Sequence, residues 1–133
     1  MEVFFATLIK GAGVGTHVRV EFDVFVASTI DLYEEINPQI GILFNETIED
    51  IFKEGGVFIK KAILDHFNEI KSKIETPIVL YISKVSADRV DYEPIAFFGA
   101  TIMWLNEYFG TDMKIPEYTY DRSTRTFGIC ESS

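Results

Sequence analysis

Between Pro94 and Gly110 the chain offers almost no polar side chain, and this stretch narrows the available folds more than any other. Proline at the start and glycine just past the end are the usual marks of a helix start and stop. The spacing predicts a helix over 94–109. One stripe is Ile95, Phe98, Ile102, Leu105 and Phe109, and a second is Phe97, Thr101, Trp104 and Tyr108. Ala96, Gly99 and Ala100 are small enough to let another backbone approach, and Asn106 and Glu107 are the only strongly polar residues. A helix that is apolar nearly all round needs cover on more than one side. Just before it, 78–85 is an apolar run of strand length introduced by Thr76-Pro77 and followed by a polar link over 86–91. The expected arrangement is a central strand with this helix packed on it. The second side of the helix would meet a partner or wall a pocket.

The rest of the chain supplies the layers around that unit. Residues 3–9 are rich in Phe and β-branched side chains and read as a buried strand. Residues 16–27 alternate, with Val18, Val20, Phe22, Val24 and Val26 on one side and His17, Arg19, Glu21 and Asp23 on the other. That is a strand with one covered and one polar face, and the two runs form an antiparallel hairpin. Asn37-Pro38 reads as a cap and first helical residue. Ile40, Leu43, Phe44, Thr47, Ile48, Ile51 and Phe52 would then share a helical face that Gly55-Gly56 ends. Ile59, Ile63, Phe67, Ile70 and Ile74 have helical spacing over 57–74, although 57–64 also has the composition of a strand. After a linker at 111–116, the segments 118–120 and 126–129 flank 121–125 as a closing hairpin, and 131–133 should fray. The order β-β-α-α-β-α-β-β does not alternate regularly. It predicts one α+β domain over 1–133, a two-layer sandwich of mostly antiparallel sheet with helices on one face. The expected core draws on Val18, Val20, Phe22, Val24, Leu43, Phe44, Ile48, Ile51, Leu80, Ile82, Phe98, Ile102 and Leu105.

Charge and cysteine usage restrict the partners. Twenty-one acidic and 12 basic residues give a formal net charge of −9, and Lys60-Lys61 is the only basic doublet. Neutralising phosphates needs clustered Lys and Arg, so neither nucleic acid nor an anionic membrane surface is an expected partner. A chain of 133 residues with 47% hydrophobic content can build a real core. Cys130 is the single cysteine, which rules out an internal disulfide and fits a reducing cytoplasm. No basic leader precedes the first strand, and no apolar run approaches the roughly 20 residues of a membrane helix.

Chemistry-bearing motifs are sparse. Gly11-Ala12-Gly13-Val14-Gly15 follows a strand, but its spacing is G-x-G-x-G and a strand follows it. A phosphate loop aims its ligand at a helix N-terminus, so this reads as a hairpin turn. No P-loop, HExxH, CxxC, SxxK or GxSxG occurs, and with His17 and His66 as the only histidines no metal site is expected. Asn45-Glu46-Thr47 matches a glycosylation acceptor but falls mid-helix in an apparently cytoplasmic chain. His66 reads as a partly exposed helix residue.

The polar ladder of the second strand is either a solvated face with cross-strand charge pairs or the wall of a pocket. In the pocket reading His17 is the catalytic acid or base, because imidazole titrates near neutrality. Arg19 and Lys84 would bind the ligand. Lys84 breaks the row Ile78, Leu80, Ile82 at the strand's carboxyl end. There it could reach a ligand, or lay its stem on the core with its amine in water. Phe97, Trp104 and Tyr108 form the stripe one domain would struggle to cover, and are the expected homo-oligomer interface.

Three segments, in this order, resemble the formaldehyde-activating enzyme family. Residues 8–18, Leu-Ile-Lys-Gly-Ala-Gly-Val-Gly-Thr-His-Val, are similar to its apolar strand, glycine-containing turn and Ala-His-Ile-Asp run. Ile40-Gly41-Ile42-Leu43-Phe44 resembles its Val-Gly-x-Ala-Phe helix. Ile82-Ser83-Lys84-Val85-Ser86 with Phe98-Gly99-Ala100 resembles its Pro-Lys-Val-Thr strand end and Phe-Gly-Pro-Ala-Gln helix start. The resemblance covers about a third of the chain. It implies a small α+β oligomer that binds a pterin cofactor, with His17 as the acid in formaldehyde condensation. The family's Asp two places after its His is Arg19 here, and its Gln is Ile102, which implies binding without efficient formaldehyde chemistry. The resulting expectation is a small-molecule site, pterin-like, on the polar face of the second strand. The alternative is a non-catalytic oligomeric interaction or structural module with an acidic surface. Whether the chain is an enzyme is left open by these residues.

Overall fold

A computed structural model describes residues 2–9, 14–87, 93–115, 117–121 and 123–130. The glycine turn at 11–13, the part of the polar link at 88–92 and the last residues at 131–133 lie outside the described residues. Strands β1 (Glu2–Ile9) and β2 (Val14–Val26) form the expected hairpin, in register from Glu2 with Glu21 to Ile9 with Val14. The alternation of β2 holds over its first part, where Val18, Val20 and Phe22 are buried, Arg19 is exposed and His17, Glu21 and Asp23 are half-buried; toward its end Val24 is half-buried and Val26, expected on the covered side, is 43% exposed.

The stretch expected to form the first helix is mostly sheet. Glu34–Asn37 is β3 and Ile40–Phe44 is β4, and only Asp50–Lys53, α1, is helical before Gly55. The cause is local. Asn37 does not cap a helix; its side-chain oxygen accepts from Gln39 N (2.8 Å) and Ile40 N (3.1 Å), which folds Asn37-Pro38 into a hairpin turn. The run that follows is β-branched and fully apolar, and Ile40 and Ile42 bury on pairing. Gly41 completes the fit, because a side chain there would collide with the Tyr33 ring.

Two short helices, α2 (Gly56–Asp65) and α3 (Phe67–Ile70), bring the chain back to β5 (Ile78–Ser86). The ambiguous 57–64 is therefore helix. β5 is central: the sheet order is β1-β2-β5-β4-β3, with β4 parallel to β5 and the other neighbours antiparallel. Then come α4 (Ala96–Phe109) and the closing hairpin of β6 (Glu117–Asp121) and β7 (Thr126–Cys130). The fold is α+β with a mostly antiparallel sheet, as expected, with the β3–β4 hairpin inserted in the order.

The core lies between the sheet and the helices, where Ile59 and Ile63 of α2 meet Ile40, Ile42, Leu80 and Ile82. Two expected core members sit elsewhere. Ile51 is 40% exposed, and Leu43 is half-buried in register with Tyr81 on the opposite side of the sheet. The second stripe of α4 is also corrected. Phe97 and Trp104 are fully buried within the chain itself, and Trp104 stacks on Tyr108 at 4.9 Å and meets Phe22 at 5.3 Å. Packing of α4 on β1, β2 and α2 provides the cover assigned to a second copy, leaving Tyr108 alone of the three at the surface.

Both ends of α4 are held by side chains. At its start Tyr118 of β6 inserts its hydroxyl into the first turn, donating to Ile95 O (2.6 Å) and accepting from Gly99 N (2.9 Å). Those two groups would otherwise bond each other directly. At its end Gly110 takes a positive φ of 68°, and Asn106 ties the following loop by accepting from Thr111 Oγ1 and Met113 N, both at 2.8 Å. Among the described residues no helix is long and apolar enough to cross a membrane.

Candidate functional site

The register between β2 and β5 slips once. Val20 pairs with Val85 and Glu21 with Lys84, but the next residue, Phe22, pairs with Ile82. Ser83 is thus an extra residue in β5, a β-bulge. Its hydroxyl donates to Glu21 O (3.2 Å), and its own carbonyl accepts from Asn45 Nδ2 (3.3 Å). Asn45 also takes the backbone bond to Ile82 O (2.9 Å) and turns the chain after β4 by accepting from Thr47 N (3.1 Å). One asparagine therefore joins the carboxyl ends of the two parallel strands.

The bulge revises the place of Lys84. Simple alternation puts it in the core row after Leu80 and Ile82. Instead it pairs with Glu21 on the opposite face, exposed, and Val85 takes the inward position. Lys84 therefore does share a face with Arg19, which pairs with Ser86, and with His17, which pairs with Ala6 of β1. His17 is four residues from Glu21 along β2, about 14 Å at strand rise. His17 and Lys84 are accordingly two ends of one open polar face rather than two walls of one pocket.

A cleft of about 170 Å³ opens at the carboxyl ends of β4 and β5. Ile48, Phe52 and Val85 form its apolar floor, and Thr47, Glu49, Ser83 and Lys84 supply its polar rim. Ligands in sheets with parallel strands gather at this end, where loops diverge. Of the three residues expected to make the site, the cleft takes in Lys84 and not His17 or Arg19. Asn45, Ser83 and Thr47 were not anticipated. Their signal was present in Asn45-Glu46-Thr47, which directly follows an apolar run of strand length and makes an Asx turn. Among the described residues no cluster of His, Cys, Asp and Glu could hold a metal ion. His66 sits half-buried at the end of α2 with Nδ1 2.9 Å from Ala62 O. Neither a known family model nor a curated protein matches the chain.

Proposed function

We propose that the protein binds a small polar molecule at the carboxyl ends of β4 and β5, with Lys84 as the charged anchor and Thr47 and Ser83 as hydrogen-bonding partners. The bulge at Ser83 carries this reading. Bulges recur beside functional sites because they re-aim a side chain, and this one turns Lys84 from the core to the edge of a cleft while its geometry is fixed by Asn45. The volume limits the ligand. Pockets for drug-sized molecules run from about 300 to 1,000 Å³, so about 170 Å³ accommodates a small metabolite or one ring of a larger heterocycle. A pterin would enter by its ring alone. Cys130 as the sole cysteine supports a cytoplasmic setting, and the open polar face supports a role in which the protein binds rather than transforms.

Ligand-observed NMR of the full chain against small carboxylates, phosphates and tetrahydropterins tests the proposal. Binding that is lost in Lys84→Ala, and kept in His17→Ala, is the expected result. Binding that survives Lys84→Ala, or a formaldehyde condensation accelerated by the protein and lost in His17→Ala, would overturn it.

A further inference from the structure

The rim of the cleft carries one charge of each sign. Lys84 comes from the carboxyl end of β5, one residue past the bulge, and Glu49 is the residue that precedes α1. Asn45 fixes these two segments against each other. Its side-chain amide donates to Ser83 O, next to Lys84. Its backbone and side-chain oxygens accept from Ile48 N (3.0 Å) and Thr47 N (3.1 Å), just before Glu49. The floor that goes with this rim, Ile48, Phe52 and Val85, is apolar.

We infer that the ligand of this cleft is a small zwitterion, an amino acid with a short apolar side chain, whose carboxylate meets Lys84 and whose ammonium meets Glu49. The inference rests on the cleft being the binding site, and three observations narrow the ligand. The first is the cation. Lys53 is engaged by Asp50 at 3.7 Å, but among the described residues Lys84 enters no ion pair, so its ammonium is available to one anionic group. The second is the surrounding charge. Residues 46–54 carry Glu46, Glu49, Asp50 and Glu54 against Lys53, in a chain of net charge −9. A phosphate dianion asks for several cationic donors and would here face carboxylates with one lysine. A ligand that brings its own ammonium turns that repulsion into attraction. A carboxylate has about four lone-pair sites, so the bonds Glu49 makes within the chain leave room for a further donor. The third is size. A volume of about 170 Å³ equals that of about six waters. Bonded atoms pack closer than waters, so a molecule of roughly six to nine non-hydrogen atoms fills it. Its hydrocarbon part would lie on Ile48, Phe52 and Val85.

Saturation-transfer NMR of the full chain with three matched compounds tests this without any variant. Valine carries both charges, isovalerate is valine without the ammonium, and isobutylamine is valine without the carboxylate. Valine should bind about three- to tenfold more tightly than either analogue, the range for one charge contact at a partly open site. Two rim substitutions then assign the contacts. Glu49→Gln should weaken valine by the same factor and leave isovalerate unchanged or improved, whereas Lys84→Ala should weaken both. Either analogue, or inorganic phosphate, bound through Lys84 as tightly as valine would overturn the zwitterion while leaving the cleft a binding site. Valine binding unaffected by Glu49→Gln would overturn it as well. If no compound binds in a way that depends on Lys84, the cleft itself is not the site, and the inference falls with it.

Discussion

Replacing Tyr118 by Phe removes one oxygen atom and tests how the closing hairpin is attached. The ring of Tyr118 is 8% exposed, and its hydroxyl is interposed between Ile95 O and Gly99 N in the first turn of α4. Without it, Ile95 O keeps the bond from Phe98 N at 3.0 Å, whereas the buried Gly99 N–H loses its acceptor. If the turn stays rigid, the cost is that of an unsatisfied buried donor, about 1–3 kcal/mol. If the turn tightens so that Gly99 N–H reaches Ile95 O, about 1 kcal/mol remains. The expected loss is therefore about 1–3 kcal/mol at pH 7, a fall in Tm of roughly 3–5 °C per kcal/mol for a chain of this size.

The same substitution has a pH signature. Burial pushes the Tyr118 phenol above its ordinary range, against the smaller opposing effect of the bond from Gly99 N–H. An acid whose folded pKa is raised stabilises the fold fully below its unfolded value, near 10, and loses that contribution as pH climbs toward the folded value. The wild type should thus lose up to about 1.4 kcal/mol per pH unit above 10 through this group, and Tyr118→Phe should not. Urea melts at pH 7 and pH 11 measure both. The gap between the two proteins should shrink at the higher pH, and other tyrosines cancel because both share them. A gap that is absent at pH 7, or constant between the two pH values, would refute the reasoning.

Other substitutions isolate single terms. Gly55 has ordinary helical backbone angles, so Gly55→Ala tests only the collision of its new methyl with the Phe97 ring; urea melts should show a loss of about 1–3 kcal/mol. Gly110 is the converse case, with open space around it but φ at 68°, so Gly110→Ala should cost about 1 kcal/mol of backbone strain and Gly110→Asn less by the same measurement. Trp104→Phe should cost under about 2 kcal/mol in chemical denaturation, well below the 3–5 of deleting a buried aromatic ring. The indole N–H has no partner among the described residues, and its burial penalty leaves with it.

Much of this fold was written in period and punctuation. The alternation of β2 named Val18, Val20 and Phe22 as its buried face, although Val26 at the end of the same row is 43% exposed, and the nearly uninterrupted apolar run of α4 announced burial on more than one side. What it could not announce was the source of the cover: Phe97 and Trp104 are closed in by the chain's own β1, β2 and α2, which depends on long-range packing that no local pattern encodes. The segment 40–52 failed for a different reason. Ile40, Leu43 and Phe44 satisfy a helical face and a strand equally, and periodicity cannot separate a short buried strand from a helix. Asn37 decided it, through an Asx turn whose sequence signature is shared with a helix cap.

The site was misread by one residue, and the error has a measurable consequence. Below Ile82 the inward positions of β5 recur at steps of two, but the next inward residue, Val85, is three further on. Strict alternation would send the Lys84 ammonium into the apolar core, which costs several kcal/mol even after relaxation. Leaving one residue out of the ladder costs about 1 kcal/mol of hydrogen bonding, and bonds from Ser83 and to its carbonyl offset part of that. The bulge is therefore the cheaper solution, and the break in spacing at Val85 is its trace in the sequence. Deleting Ser83 should then be tolerated, because Ile82, Lys84 and Val85 would alternate correctly with no bulge. The deletion variant should keep its fold, with melting shifted by no more than about 1–2 kcal/mol. It should lose ligand binding at the cleft, because Asn45 no longer has the Ser83 carbonyl to hold. An unfolded deletion variant would show that Ser83 is needed for more than phase. A folded variant that still binds would separate the bulge from the site.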